Sequence, residues 1–132
     1  MKDRRSERYK RWLSLAKEDL KFAKYALDLN SFSISAFHSH QAAEKALKGL
    51  IEYIGDIPEK THVLTELIEQ LRINGHEVPE RILRNCIELE PHYSTSRYPD
   101  LGPDPLKYYN KWLAEKLYKY AEEVVKYVEE MG

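Results

Sequence analysis

The chain has 132 residues, 42% of them hydrophobic and 33% charged, and its 21 basic and 22 acidic side chains leave a net charge of −1. That length suits one domain with a real core. The composition excludes a disordered chain, and no apolar run approaches the roughly 18 residues of a membrane span. A single cysteine, Cys86, excludes an intrachain disulfide.

The chain starts with a basic stretch in which Lys2, Arg4, Arg5, Arg8, Lys10 and Arg11 outnumber Asp3 and Glu7. No apolar segment of the signal-peptide kind follows it, so the expected compartment is the cytoplasm. The stretch reads as a solvated helix start or as a phosphate contact. No repeat, low-complexity tract or linker divides the sequence, and residues 1–132 are expected to form one helical domain. The near-neutral charge balance does not by itself demand nucleic acid.

Five helical segments are expected. The first runs from about Ser6 to Leu29, with Trp12, Ala16, Leu20, Ala23 and Leu27 on one stripe at about 100° per residue. Asn30 and Ser31 break it. The second runs from about Ser33 to Tyr53 on a face of Ala36, Ala43, Leu47, Leu50 and Ile54, and Gly55 and Pro58 stop it. Thr61 is the expected cap of a third helix carrying Leu64, Leu67, Ile68 and Leu71, which Asn74-Gly75 ends. Pro79 opens a fourth, carrying Ile82, Leu83, Cys86 and Ile87. A loop is expected from about Tyr93 to Asp104. Asp104 as cap and Pro105 at the first position then start a fifth helix, with Tyr109, Leu113, Leu117, Tyr120, Val124, Tyr127 and Val128 on its stripe. No segment alternates like a half-buried strand. The fold class is therefore all-α, an antiparallel four-helix bundle with an additional short helix.

Phosphate-loop, HExxH, CxxC and GxSxG motifs are absent. Cys86 sits on an apolar stripe and reads as core. His38 and His40 point roughly 200° apart on a helix, so they cannot bind one ion together. With His62, His76 and His92 near helix ends, no metal or other cofactor is expected.

Three places break the apolar pattern. On the second helix His38, Gln41, Lys45 and Lys48 form a polar stripe, either solvated or a row of donors for phosphate. His40 falls on the apolar face with Glu44 one turn on, either as a hydrogen-bonded core histidine or as a cleft acid/base. Asp19 lies inside the stripe of the first helix and needs a partner, with Lys45, Lys48 and Arg97 the candidates. Arg97, Tyr98 and Asp100 stand among turn residues. Arginine suits bidentate phosphate binding and tyrosine suits base stacking. An Arg97–Asp pair that pins the loop is the structural alternative.

These segments resemble HEPN domains. The likeness is carried by Ala16-x-x-Asp19-Leu20-x-x-Ala23, by Phe37-His38-x-x-Gln41-Ala42-Ala43-Glu44-Lys45-Ala46-Leu47-Lys48, by Thr61-His62 before a Leu-rich helix and by Arg97-Tyr98-Pro99-Asp100, in that order. It covers nearly the whole chain. It implies a helical bundle that pairs as a homodimer, and in many members a metal-independent endoribonuclease that uses an arginine and a histidine in an RxxxxH motif. It also implies a small nucleotidyltransferase partner in a toxin–antitoxin-like pair, and a nucleotide-binding role in other members.

Arg97 takes the place of the motif's arginine, but Gly102 stands where the histidine belongs, and Pro103 follows. The expected function is therefore a nucleotide- or RNA-phosphate-binding module, with Arg97, Tyr98, Asp100, Lys45, Lys48, Glu44 and Asp19 as the binding set. The alternatives are a ribonuclease completed by a displaced histidine, with Arg97 and His40 the catalytic candidates and His62 a second histidine to consider, or a purely structural bundle. Tyr108 and Trp112 are aromatics on the flank of the last helix that are compatible with an interface.

Overall fold

The computed structural model describes residues 4–132, apart from the side chain of Leu101; Lys2 and Asp3 of the basic start lie outside the described residues. The elements in chain order are α1 (Arg4–Asp28), α2 (Phe32–Tyr53), α3 (Leu64–Ile73), α4 (Glu80–Leu89), α5 (His92–Thr95), a 3₁₀ turn (Pro99–Leu101), α6 (Pro105–Tyr108) and α7 (Lys111–Met131). Among the described residues there is no strand.

The short α1–α2 connection folds these helices into an antiparallel hairpin. Ser31 N–H reaches the Ala26 carbonyl and Asn30 N–H the Leu27 carbonyl, which satisfies the last carbonyls of α1. That ending needs one residue in the left-handed region, and Asn30 takes it at φ 60°. Gly55 (φ 98°) closes α2 in the same way, with Asp56 N–H on the Ile51 carbonyl.

The central element is α2, which packs against α1, α7, α3 and the short α5. Its small residues Ala36, Ala42, Ala43 and Ala46 let neighbours approach, while Leu47, Leu50 and Ile51 fill the space between them. Truncating one of these large side chains to alanine costs about 2–5 kcal/mol. Helix α7 returns along α2 and α1 and buries Leu117, Ala121, Val124, Val125 and Val128. At the far end the Tyr9 hydroxyl donates to the Val128 carbonyl at 2.8 Å and ties the start of α1 to the end of α7.

Several expectations change in the structure. Thr61 is not the cap of α3; its hydroxyl accepts from Val63 N–H, and Val63 takes the cap position. Pro79 precedes the first helical residue of α4 instead of opening it. Ile87 faces solvent rather than the core. The fifth helix is two. Asp104 caps α6 by accepting from Leu106 N–H, the chain extends at Tyr109, and Asn110 caps α7 by accepting from Leu113 N–H. The break turns the Tyr109 hydroxyl onto His92. The expected loop after residue 93 holds helical turns, with α5 lying across α2.

Candidate functional site

Tyr93, on α5, is the centre of the site. His62 stacks on its ring with centroids 4.0 Å apart and planes within 12°. The Arg97 Cζ lies 4.4 Å from the same ring. Phe37 and His40, both from α2, approach it at 6.0 and 5.4 Å. Helix α2, the turn before α3 and helix α5 thus converge on one aromatic side chain.

Arg97 is exposed, and its guanidinium rests among three rings, 4.7 Å from Phe37, 4.4 Å from Tyr93 and 4.9 Å from Tyr98. Its Nε donates to the Tyr93 carbonyl at 3.1 Å. Ring faces attract a cation without neutralising it. Among the described residues no carboxylate pairs with Arg97, so the Arg97–Asp lock, the structural alternative for this loop, is not formed. Asp100 is exposed in the 3₁₀ turn.

His62 gains a second constraint from Glu44. Its Nδ1 donates to Glu44 Oε1 at 2.8 Å, while Lys48 Nζ donates to Oε2 at 3.0 Å. Glu44 is buried, and two charge-assisted hydrogen bonds offset its desolvation. His62 is half exposed, and among the described residues its Nε2 has no hydrogen-bond partner. A carboxylate fixing the tautomer and orientation of a histidine is a common arrangement for proton transfer.

His40 is the core histidine of the two alternatives. It is fully buried, and burial pulls its pKa below the usual value despite the hydrogen bond to the His62 carbonyl. A neutral imidazole donates from one nitrogen only. Nε2–H therefore donates to the His62 carbonyl at 3.0 Å, and Nδ1 accepts from a Gln41 amide turned to present its NH₂ group. Glu44 Oε1 lies 4.0 Å from His40 Nδ1 and spends its hydrogen bond on His62 instead. His40 thus holds the turn that carries His62.

Asp19 takes Lys45 at 2.6 Å and His38 at 2.8 Å, and neither Lys48 nor Arg97. Burial opposes its ionisation, but the hydrogen bonds from His38 and Lys45 outweigh burial and hold the carboxyl below its ordinary range. Lys45 and Lys48 are each paired with a carboxylate, which among the described residues leaves Arg97 as the cation of the site without one. Sequence reasoning missed His62 as the partner of Glu44, and it missed Phe37 and Tyr93 as the shelf under Arg97. The one signal was an aromatic in each of two segments already singled out.

Elsewhere His92 is buried, and its Nδ1 accepts from the Tyr109 hydroxyl at 2.6 Å. Cys86 is buried in the core, and burial pushes its thiol up to about 12, which leaves it no nucleophilic role at neutral pH. Among the described residues no group of three or more His, Cys, Asp or Glu side chains is placed to hold a metal ion. No described helix is long and apolar enough to cross a membrane.

The comparisons with known proteins agree with this architecture. A protein of Methanocaldococcus jannaschii that carries the name "Putative toxin MJ1304" is 30% identical over 131 residues, covering 92% of this chain and 86% of its own. The crystal structure of TT1696 from Thermus thermophilus superimposes with a TM-score of 0.86 at 31% identity, covering 93% of this chain and 97% of its own. That of ST0689, an archaeal HEPN homologue, gives 0.78 at 30% identity over 93% and 96%. A HEPN domain protein from Thermotoga maritima gives 0.75 at 26% identity over 92% and 96%. The HEPN domain family itself matches residues 9–131, nearly the full length, and the chain belongs to the HEPN domain family.

Proposed function

We propose that this HEPN chain is a homodimeric toxin-type module that binds RNA or nucleotide phosphate at Arg97 and acts with a small nucleotidyltransferase. The observation that carries the reading is the Arg97 guanidinium, set on Phe37, Tyr93 and Tyr98 with no carboxylate on it among the described residues. The rings fix the plane of the guanidinium, and its terminal N–H groups can meet a phosphate in bidentate fashion. Tyr98, exposed beside it, offers a stacking face for a base. The toxin context rests on the name of the Methanocaldococcus relative.

The test is titration of labelled RNA and of nucleotides with the parent chain, Arg97→Ala and Arg97→Lys. Arg97→Ala weakens binding about tenfold or more, and Arg97→Lys, which keeps the charge and loses the fork, falls between. Equal affinity in all three sinks the site. Co-purification with a nucleotidyltransferase encoded beside the gene tests the partner separately.

A second reading is favoured by the Glu44–His62 pair: a metal-independent endoribonuclease in which His62 stands in for the motif histidine. In that reaction His62 Nε2 takes the proton of a ribose 2′-hydroxyl and O2′ bonds to the adjacent phosphorus. The bond from phosphorus to O5′ breaks, and O5′ regains a proton from the imidazolium or from water. Arg97 balances the charge that builds on the phosphoryl oxygens. Cleavage of RNA in EDTA, lost in both His62→Ala and Arg97→Ala, separates this reading from binding alone.

A further inference from the structure

Helix α1 carries two apolar stripes, and the bundle buries only one of them. Ala16, Ala23, Ala26 and Leu27 face the core. Leu15, Phe22, Tyr25 and Leu29, at steps of seven, three and four residues, form a second stripe, and each is between 46 and 77% exposed. That step pattern is the seam of a helix packed against another helix. Ile34, at the start of α2, extends the stripe past the turn and is also exposed. Beside it lies an apolar cleft of about 200 Å³ lined by Phe22, Tyr25, Ala26, Leu29, Ile34 and His38.

We infer that this stripe is the face on which a second copy of the chain docks, with the two α1 helices antiparallel about a two-fold axis near residues 23 and 24. This rests on the homodimer reading above and names its surface. The argument is self-complementarity, which a two-fold interface requires. When Phe22 faces Tyr25 of the second copy, the symmetric operation places Tyr25 opposite the other Phe22, and four rings close the centre. In the same register the flanking Lys21 falls beside Asp28 of the second copy, twice over. Lys21 has no carboxylate partner among the described residues, its Nζ lying 5.9 Å over the Tyr25 ring. Asp28 accepts from Lys24 through one oxygen and keeps the other. Leu15 of the second copy comes level with the α1–α2 turn, where Ile34 is exposed. Glu18, the polar member of the seam, meets Leu29 at its open end.

The stripe also adjoins the candidate site. The Phe22 ring lies 5.9 Å from His38, His38 lies 5.5 Å from Phe37, and Phe37 lies under Arg97 at 4.7 Å. A copy seated on α1 therefore borders the Arg97 shelf.

The experiment measures the mass of the full chain by light scattering over a dilution series, with helicity checked by circular dichroism. The parent is expected to be a dimer, and Phe22→Glu to raise its dissociation constant about a hundredfold at unchanged helicity. Lys21→Asp and Asp28→Lys each weaken it about tenfold, and the combined swap restores it to within a few-fold, because the charges then match again. A dimeric parent that neither Phe22→Glu nor the charge variants weaken overturns the surface while leaving the homodimer standing, and transfers the contact to another face such as that of Tyr108 and Trp112. A monomeric parent overturns the homodimer reading itself. A monomer whose α1 stripe is covered only by a co-expressed nucleotidyltransferase overturns the second copy as occupant.

Discussion

Glu44 and His62 stand 18 residues apart in the chain and 2.8 Å apart in space, and the bond between them decides which nitrogen of His62 faces outward. With Nδ1–H on the carboxylate, Nε2 takes the other edge of the ring, and Lys48 bonds the same carboxylate through its second oxygen.

The pair gives a prediction about nucleic-acid chemistry. Glu44→Gln keeps the shape and removes the charge, so any RNA cleavage by the chain falls about 10²- to 10³-fold, while RNA affinity at Arg97 changes by less than about threefold. Equal loss of binding and cleavage would show that Glu44 acts through folding alone.

Acid stability is set by buried histidines. Burial, with the nearby charges of His40 and Lys116, lowers the His92 pKa from 6.5 to about 4. Burial raises the Tyr109 phenol, so its O–H stays on and donates to His92. His92 is neutral when folded and gains a proton in the unfolded chain below its ordinary pKa. Stability is therefore fully present above pH about 6.5, declines as the pH falls from there to about 4, and loses up to ~3 kcal/mol through this residue. His40, also lowered by burial, adds in the same direction. Asp19 has the opposite linkage. Its folded pKa lies below the carboxylate range, so its contribution persists through this window and is lost only at lower pH. Urea unfolding at pH 7.5 and pH 4.5 checks the decline, and His92→Leu shrinks it. A parent equally stable at both values refutes the assignment.

Gly49, in the last turns of α2, is expected to resist alanine. In an open helix the change stabilises by about 1 kcal/mol. Here an added Cβ would stand 2.8 Å from the Trp12 Cβ and 3.4 Å from the Tyr9 carbonyl. Neither neighbour can swing away, since Trp12 is held by its indole N–H on Glu52 at 2.8 Å and Tyr9 by the Val128 carbonyl at 2.8 Å. Gly49→Ala is therefore expected to destabilise by about 1–3 kcal/mol, read as a lower urea midpoint. A raised midpoint would mean that α1 yields more easily than this geometry indicates.

What the sequence determined by itself was what local rules govern. The apolar stripes of α1, α2, α3 and α7 recur at helical spacing, so their core faces could be read directly, and Asp104-Pro105 and Asn74-Gly75 marked ends because their backbone preferences are intrinsic. Asp19 stood out as a buried carboxylate that needed a partner, because desolvation penalises it in any fold. Which cation answered it was a tertiary matter: Lys45 and His38 lie across the α1–α2 seam, and Arg97 lies elsewhere. The second stripe of α1 was hidden in the sequence because a helix that must bury one face masks the pattern of another. The break at Tyr109–Asn110 was invisible because the stripe continues through it, and only the pull of Tyr109 toward His92 shows its use. Above all, the meeting of His62, Tyr93 and Arg97 depends on α5 lying across α2, a contact between distant segments that no spacing rule encodes.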